Sequence, residues 1–186
     1  MDKMEFTRID GGVCAAKGFQ ANGLNCGLNP DRNKNDLGMI FSKVTCTTAA
    51  VYTQNKVKGA PIIVTKQHLQ ASQGKSHAVI VNSKNANTCN IDGEEIAQKA
   101  CELAADALGI SADEVIVGST GVIGKRLSIQ PFEEHMKELV DGLSTTGNDK
   151  AVNAIMTTDT TAKQVAVEFE VNGVRCVVGG MATRFQ

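Results

Sequence analysis

Two strand-like segments near the C-terminus, residues 164–171 and 174–178, are separated by Asn172-Gly173. In the first of them, residues 164–171, every second residue is Val or Phe. Such alternation is typical of a strand with one buried and one solvated face, and Asn-Gly is a strong signal for a two-residue hairpin turn. The pattern predicts an antiparallel hairpin of residues 164–171 and 174–178. This hairpin argues against a purely parallel, doubly wound sheet.

The rest of the chain alternates between strand-like and helix-like patterns. The Gly- and Asn-rich first forty residues predict short strands joined by turns. Thr- and Val-rich or continuously apolar runs predict further strands at residues 44–53, 61–65, 78–82 and 115–117. Apolar residues at helical spacing and end signals predict helices at 94–108, from Pro131 to near Gly142, and at 149–156. Ser111 and Glu114 have the spacing of a capping box.

These elements predict an α/β fold with a mixed, partly antiparallel sheet and packed helices. The chain of 186 residues is long enough for one domain with a sizeable core and short for two. No linker or repeat divides it, so we expect a single domain over residues 1–182.

Composition narrows the classes of partner. Nineteen basic and 20 acidic residues give a net charge of −1, and aromatic residues make up only 4%. Nucleic-acid and anionic-membrane partners are therefore not expected. No apolar run is long enough to span a membrane and the first residues do not resemble a signal peptide, so we expect a cytoplasmic protein.

Six cysteines and three histidines offer little metal chemistry. No two cysteines have the C-x-x-C spacing, so a zinc site is not expected. Most of the thiols are expected to be small buried apolar side chains. A catalytic Cys–His pair stays open, since spacing alone does not exclude it.

A glycine-rich loop, Gly118–Gly124, follows the apolar run at residues 115–117. Backbone N–H groups in such a loop can converge on a negative charge, either a bound phosphate or the oxyanion of an acyl-transfer intermediate. A phosphate-binding P-loop requires Gly at position 119 and Ser or Thr at 126, and this chain has Ser119 and Arg126. The predicted helix near Gln130 also begins too late to face such a phosphate.

Two polar clusters accompany the loop: Asn82–Cys89 after a predicted strand, and Thr157–Thr161 after a predicted helix. Taken singly, each is typical of turn-forming residues. Together they are suited to orienting an amide or amino-acid ligand, although neither contains an obvious general base.

Several segments, in this order and spacing, resemble the ornithine acetyltransferases (bifunctional glutamate N-acetyltransferases) of arginine biosynthesis. The resemblance covers residues 11–182 and rests on Gly11-Gly-Val13, Lys17-Gly-Phe19, Asp36-Leu37, Asn82–Cys89, Gly118–Gly124, Met156–Thr160 and Gly179-Gly-Met-Ala182. Any one of these motifs is weak, and the series is specific.

The resemblance implies the α/β fold of that family and a precursor that cuts itself into an α and a β chain. The new N-terminal Thr of β would then carry acetyl from N-acetylornithine to glutamate in a ping-pong cycle. Thr120 and Gly121 would form the oxyanion hole, and Thr157 would contact the amino-acid substrate. The implied partner is the β chain in an α2β2 heterotetramer. No cofactor is implied, although acetyl-CoA is a possible co-substrate.

The chain departs from the family after Ala182. The family has Lys-Gly-Ser-Gly there, followed by the cleavage point and its nucleophilic Thr, whereas this chain has a four-residue tail, Thr183–Gln186. A cloning tail, a frameshift and a natural end all fit the tail. We therefore expect an α chain that is inactive alone and, without its partner, exposes apolar surface. The alternative is a non-catalytic binding or scaffold protein that kept the fold.

Overall fold

The computed structural model describes residues 5–183 and has the predicted α/β architecture. The strands are β1 (Thr7–Ile9), β2 (Phe19–Leu24), β3 (Leu37–Thr47), β4 (Lys75–Asn82), β5 (Val115–Ser119), β6 (Lys163–Val171) and β7 (Val174–Ala182). The helices are α1 (Ala60–Ala71), α2 (Gly93–Leu108), α3 (Gln130–Asp141) and α4 (Asn148–Ala154), with single 3-10 turns at Gly12–Cys14 and Ala112–Glu114. Arg184–Gln186, most of the expected tail, lie outside the described residues.

The strands form two sheets. A four-stranded sheet has the order β2-β3-β4-β5, with antiparallel pairing except between β4 and β5, which are parallel. A three-stranded antiparallel sheet has the order β1-β6-β7. The mixed, partly antiparallel pairing is confirmed. The division into two sheets is additional to the prediction.

The predicted C-terminal hairpin is confirmed and is longer than expected, since β7 continues to Ala182. Asn172 and Gly173 connect its strands with φ angles of 50° and 76°. Two successive positive φ angles match the right-handed twist of the flanking strands, which explains why Asn-Gly occupies this turn.

The helix predictions rest on end signals that the structure confirms. Gly109 caps α2 with a φ of 69°, and α3 begins one residue before Pro131 and ends at Asp141, next to Gly142. The Ser111–Glu114 capping box is present, but it closes a single 3-10 turn before β5 rather than a helix. The main core packs the inward faces of α1, α2 and α3 against the four-stranded sheet.

Two strand predictions are wrong. The apolar run Pro61–Thr65 lies in α1, where Pro61 occupies the first turn and its missing N–H costs nothing. An apolar run of five residues does not distinguish a buried strand from a buried helix face. The strand predicted at Val44–Thr53 ends at Thr47, and the following residues, up to Gly59, form an irregular segment.

Helix α1 covers the outer edge of β5. Thr65 Oγ1 donates to the carbonyl oxygen of Val117 at 3.0 Å and accepts from the Val117 N–H at 3.2 Å. His68 Nδ1 lies 2.9 Å from the carbonyl oxygen of Val115. These helix side chains satisfy backbone groups that would otherwise be unpaired at a sheet edge. They also fix α1 beside the strand that leads into the glycine-rich loop.

Candidate active site

The glycine-rich loop continues the parallel pairing of β4 and β5 beyond the sheet. Its backbone alternates hydrogen bonds with the segment after β4: Thr120 N–H donates to Asn82 O at 3.0 Å, and Val122 N–H donates to Lys84 O at 3.2 Å. Ala86 N–H donates back to Val122 O at 2.9 Å. Because the carboxyl ends of parallel strands meet at one sheet edge, the loop and the Asn-rich segment form a single unit there.

Gly121 is required by the closeness of these two segments. Its φ is 136°, and a Cβ atom at this position would lie 2.3 Å from the carbonyl carbon of Lys84. Real Cβ atoms do not approach backbone atoms so closely. No other residue therefore fits this position without moving the loop.

The buried asparagines after β4 hold the two segments together. Asn82 Nδ2 donates to the carbonyl oxygens of Ser83 and Asn85, and Asn82 Oδ1 accepts from Ser119 Oγ at 2.6 Å. Asn85 Nδ2 donates to Lys125 O at 2.8 Å. The Asn82 amide thus ties the end of β4 to the end of β5.

Asn87 completes this internal network, since its Nδ2 donates to Gly93 O at 2.8 Å and its N–H donates to Asn85 Oδ1 at 2.8 Å. The interpretation of the three asparagines as ligand-orienting groups is therefore wrong for their side chains. The amides are used within the fold because a buried amide left without a partner is costly. Their contribution is to position the loop.

An open cleft of roughly 1200 Å³ lies beside the loop and brings the three candidate residues together. Thr120, Gly121 and Thr157 all line it, although Thr157 follows α4 and lies far along the chain from the other two. Further walls come from Val51–Thr53 in the irregular segment after β3, from Pro61 and Ile62 in α1, and from Met181–Thr183 at the end of β7.

Two neighbouring hydrogen-bond donors remain unused in the loop. Thr120 is 7% exposed and its N–H is bonded to Asn82, but its hydroxyl has no hydrogen-bond partner among residues 5–183. Within the same described part of the chain, the Gly121 N–H also has none. A hydroxyl and an adjacent N–H at the wall of a cleft are the kind of donor pair that stabilises a developing oxyanion.

The phosphate interpretation loses further support from the same hydrogen bonds. The N–H groups of Val122 and Gly124 are bonded to the carbonyl oxygens of Lys84 and Thr88. They cannot also converge on a phosphate, as a P-loop requires. Helix α3 begins at Gln130, as predicted, and is too far along the chain to contribute its N-terminus.

Asp159 connects Thr157 and Thr183, two residues that line the cleft. Its buried carboxylate accepts from the Thr157 N–H at 3.4 Å and from Thr183 Oγ1 at 2.9 Å, and it pairs with Lys163 Nζ. The carboxylate thereby joins the segment after α4 to the start of β6 and the end of β7. Thr157 is held at the cleft by the hydrogen bond of its backbone N–H to Asp159, so its side-chain hydroxyl is free to contact a ligand.

Among the described residues, the cleft lining carries one positive charge and no carboxylate, imidazole or thiol. Lys84 is the only charged residue among the described residues that line it, and that lining contains no Asp, Glu, His or Cys. Hydroxyl groups are present, but a hydroxyl becomes a useful nucleophile only beside a base. Among the described residues that line it, the cleft offers hydrogen-bond donors, and no hydroxyl there lies beside a histidine.

The cysteines and histidines lie elsewhere. Burial raises the pKa values of three thiols. The pKa of Cys14 is raised, that of Cys26 lies well above its usual range, and that of Cys101 is raised to about 12. Cys46 and Cys176 are partly exposed and Cys89 is exposed, so only half of the six thiols are buried as expected. The described residues contain no group of side chains suited to a metal. The described residues that line the cleft include neither a cysteine nor a histidine, so no Cys–His pair lies there.

The sequence did not predict the apolar side of the cleft. Val51 and Tyr52 were assigned to a strand, and Ile62 to another, whereas all three side chains line the cleft. The only available signal was the Pro61 helix start, which places Ile62 in the first turn of α1.

Among the helices described, none is long and apolar enough to cross a membrane.

Comparison with known proteins identifies a family for this chain. The ArgJ family model matches residues 20–183. The arginine biosynthesis bifunctional protein ArgJ of Gloeobacter violaceus is 45% identical over 179 residues, which are 96% of this chain and 44% of the relative. The glutamate N-acetyltransferase of Methanocaldococcus jannaschii is 40% identical over 176 residues, 94% of this chain and 42% of that protein. The chain thus spans less than half the length of these curated relatives.

Two solved structures have the same fold over nearly their whole chains. The ArgJ protein of Bacillus halodurans matches with a TM-score of 0.91 and 35% identity, covering 99% of this chain and 96% of that one. Ornithine acetyltransferase of Mycobacterium tuberculosis, solved in complex with ornithine, matches with a TM-score of 0.88 and 34% identity, covering 97% and 96%. By its sequence and its fold, the chain belongs to the ArgJ family.

Proposed function

We propose that this chain is the oxyanion-stabilising part of an acetyltransferase that moves acetyl from N-acetylornithine to glutamate in arginine biosynthesis. The observation that carries the proposal is the pair of unused donors, the Thr120 hydroxyl and the Gly121 N–H, at the wall of the cleft. The names of the curated relatives support the reaction class.

The donor pair suits both halves of a ping-pong reaction. Attack by the Thr hydroxyl of the proposed β chain on the acetyl carbonyl of N-acetylornithine moves an electron pair onto the carbonyl oxygen, which then accepts hydrogen bonds from Thr120 and Gly121. Collapse of this intermediate breaks the C–N bond, and the proton lost by the hydroxyl passes to the leaving amine, so that ornithine is released and an acetyl-enzyme remains. Attack by the amino group of glutamate repeats the sequence and releases N-acetylglutamate. Donors fixed in advance stabilise each tetrahedral intermediate without reorganising.

The nucleophile is proposed to come from a second polypeptide, the β chain of a self-cleaving precursor. The absence of any carboxylate, imidazole or thiol from the described cleft lining supports this division of roles. The comparisons support it too, since the chain covers 96% of each solved chain but only 44% of the Gloeobacter violaceus relative. We propose that the two chains form an α2β2 assembly and that this chain alone is inactive.

Thr157 and Lys84 are proposed to hold the amino-acid part of the substrates. Both line the cleft, and the Lys84 ammonium group suits the α-carboxylate that ornithine and glutamate share. The ornithine bound in the Mycobacterium tuberculosis relative supports an amino-acid ligand. No cofactor is needed for this chemistry, and acetyl-CoA remains a possible alternative acetyl donor.

Co-expression tests the proposal. This chain is produced together with the 56% of the Gloeobacter violaceus relative that it does not match, and transfer of acetyl from N-acetylornithine to glutamate is measured. We expect turnover from the complex and none from this chain alone. A well-folded complex that does not turn over would contradict the proposal and favour the scaffold alternative. Activity of the separate chain would contradict the proposed division of roles.

A further inference from the structure

Ser119, the last residue of β5, carries a hydroxyl group at the wall of the cleft. The residue is partly buried, lines the cleft and directly precedes Thr120. Its Oγ lies 2.6 Å from Asn82 Oδ1, and this is the only hydrogen bond of the Ser119 hydroxyl among residues 5–183. The direction of this hydrogen bond decides what the hydroxyl can offer to a ligand.

The orientation of the Asn82 amide fixes that direction. Asn82 Nδ2 faces two carbonyl oxygens, that of Ser83 at 3.1 Å and that of Asn85 at 2.9 Å, and a carbonyl oxygen only accepts. Both hydrogens of Nδ2 are therefore used. The other side of the amide presents Oδ1, which also only accepts. The Ser119 hydroxyl must consequently donate its hydrogen to Asn82.

A hydroxyl that donates its single hydrogen to a fixed partner meets a ligand only as an acceptor, through its remaining lone pairs. Ser119 thus differs from Thr120, whose hydroxyl has no partner among residues 5–183 and can donate. Asn82 holds both residues, since its backbone oxygen accepts the Thr120 N–H at 3.0 Å while its Oδ1 accepts from Ser119. One buried asparagine therefore fixes an acceptor and a donor in consecutive residues of the cleft wall.

An acceptor beside oxyanion donors is complementary to a secondary amide. The scissile group of N-acetylornithine is such an amide, because its carbonyl oxygen accepts hydrogen bonds and its N–H donates one. In the second half-reaction the amino group of glutamate takes the place of that nitrogen and also carries N–H donors. A nitrogen that donates to a fixed acceptor has a fixed orientation, as both departure and attack require. The described lining offers no carboxylate or imidazole for this hydrogen bond.

We infer that Ser119 Oγ accepts a hydrogen bond from the α-nitrogen of the substrate, first from the amide N–H of N-acetylornithine and then from the amine N–H of glutamate. Thr120 and Gly121 bind the oxygen of the acetyl group, and Ser119 binds the nitrogen to which that group is attached. Ser119 is thus a further catalytic residue. The inference rests on the proposed function, because it assumes that an N-acetyl amino acid enters this cleft.

The test compares two acetyl donors in the co-expressed complex: N-acetylornithine and its ester analogue, in which oxygen replaces the α-nitrogen. The ester has the same carbonyl group and no N–H. In a ping-pong reaction, kcat/KM for the donor reports the first half-reaction alone. Ser119→Ala should lower the ratio of kcat/KM for the amide to that for the ester by about five- to tenfold, the usual loss for one hydrogen bond. Loosening of the loop through Asn82 would slow both donors alike and would leave this ratio unchanged.

Three further variants support the comparison. Ser119→Thr keeps the hydroxyl and should retain the ratio of the unmodified chain. Ser119→Cys still offers a weak donor to Asn82 but is a poor acceptor, so it should lower the ratio even if the alanine variant does not fold. Thr88→Val is the matched control, because it removes another hydroxyl from the cleft lining, one that donates to Ala86 O at 3.1 Å. It should leave the ratio unchanged.

The outcomes separate this inference from the proposed function. A ratio that stays unchanged in Ser119→Ala and Ser119→Cys overturns the inference, whether both donors slow or neither does. A ratio that falls equally in Thr88→Val also overturns it, since the effect would then not belong to Ser119. If the unmodified complex releases no ornithine from N-acetylornithine, the proposed function is contradicted and the role of Ser119 falls with it.

Discussion

The backbone N–H of Thr120 donates to the carbonyl oxygen of Asn82 at 3.0 Å, so the residue is held by its main chain while its hydroxyl stays unused. This separation of tasks lets a side-chain substitution remove one donor without loosening the loop.

Thr120→Ala should lower kcat for acetyl transfer by about 10²–10³-fold in the assembled enzyme, the usual cost of one oxyanion donor. KM for N-acetylornithine should change little, because the donor acts mainly on the tetrahedral intermediate. Self-cleavage of a precursor should slow for the same reason. Steady-state kinetics and the accumulation of uncleaved precursor measure the two effects. Thr120→Ser keeps the hydroxyl and serves as control. A change confined to KM would refute the oxyanion role.

Gly121→Ala should destabilise the fold more than Gly124→Ala does. Both positions have a positive φ, and left-handed backbone costs a residue with a Cβ about 1–2 kcal/mol. Only Gly121 adds a clash, with Lys84, whereas a Cβ at Gly124 meets no atom within 4 Å. The difference in the free energy of unfolding should exceed about 1 kcal/mol, as expected for overpacking. Urea unfolding of both variants measures it, and equal losses would contradict the close approach.

Thr65→Val should destabilise the protein by about 1–3 kcal/mol, although the side chain keeps its shape. The substitution removes the hydroxyl that both donates to and accepts from Val117, and leaves these two backbone groups buried without partners. Thr65→Ser keeps both hydrogen bonds and should cost less. Equilibrium unfolding compares the two. Equal losses in the free energy of unfolding for Thr65→Val and Thr65→Ser would show that the Thr65 hydroxyl does not satisfy the backbone groups at the edge of β5.

Stability should fall as pH rises above 9. Burial raises the pKa of Cys101 from its ordinary value of 9.0 to about 12 and raises that of Cys26 further. Between pH 9 and 12 the unfolded chain loses these protons while the folded chain keeps them, so unfolding becomes more favourable as pH rises. Each thiol contributes a slope of about 1.4 kcal/mol per pH unit, and none below pH 9.

Urea unfolding at several pH values between 8 and 10.5 measures the slope. Cys101→Ala should reduce the slope by the share of one thiol, whatever it does to stability at pH 7. An unchanged slope in this variant would show that Cys101 is not shielded from ionisation.

Sequence patterns predicted the fold wherever local chemistry decides the structure. Gly109, Pro131 and Asn172-Gly173 each impose a backbone geometry that ends a helix, starts one or turns a hairpin. The run Pro61–Thr65 is different, because apolar residues fit a buried helix and a buried strand equally well. The contacts of Thr65 and His68 with β5 show that the edge of this sheet is closed by helix side chains.

The site was partly predictable for a similar reason. Three glycines after an apolar run located the loop, and the resemblance selected Thr120, Gly121 and Thr157, which the structure brings to one cleft. The structural roles of Asn82 and Asn85 depend on partners far along the chain, the Ser119 hydroxyl and the Lys125 carbonyl oxygen. No spacing of residues reveals such partners.

The pairing of residues 82–88 with residues 120–124 has a consequence for engineering. Each of these two segments provides the hydrogen-bond partners of the other and packs closely against it. We therefore expect that neither segment keeps its conformation when it is grafted alone into another protein. A designer who wishes to move the Thr120 donor must transplant both segments as one cassette, on a host with two adjacent parallel strands. The cleft walls formed by Val51–Thr53 and Ile62 lie outside these two segments, so substitutions there should leave the hydrogen bonds between the segments intact.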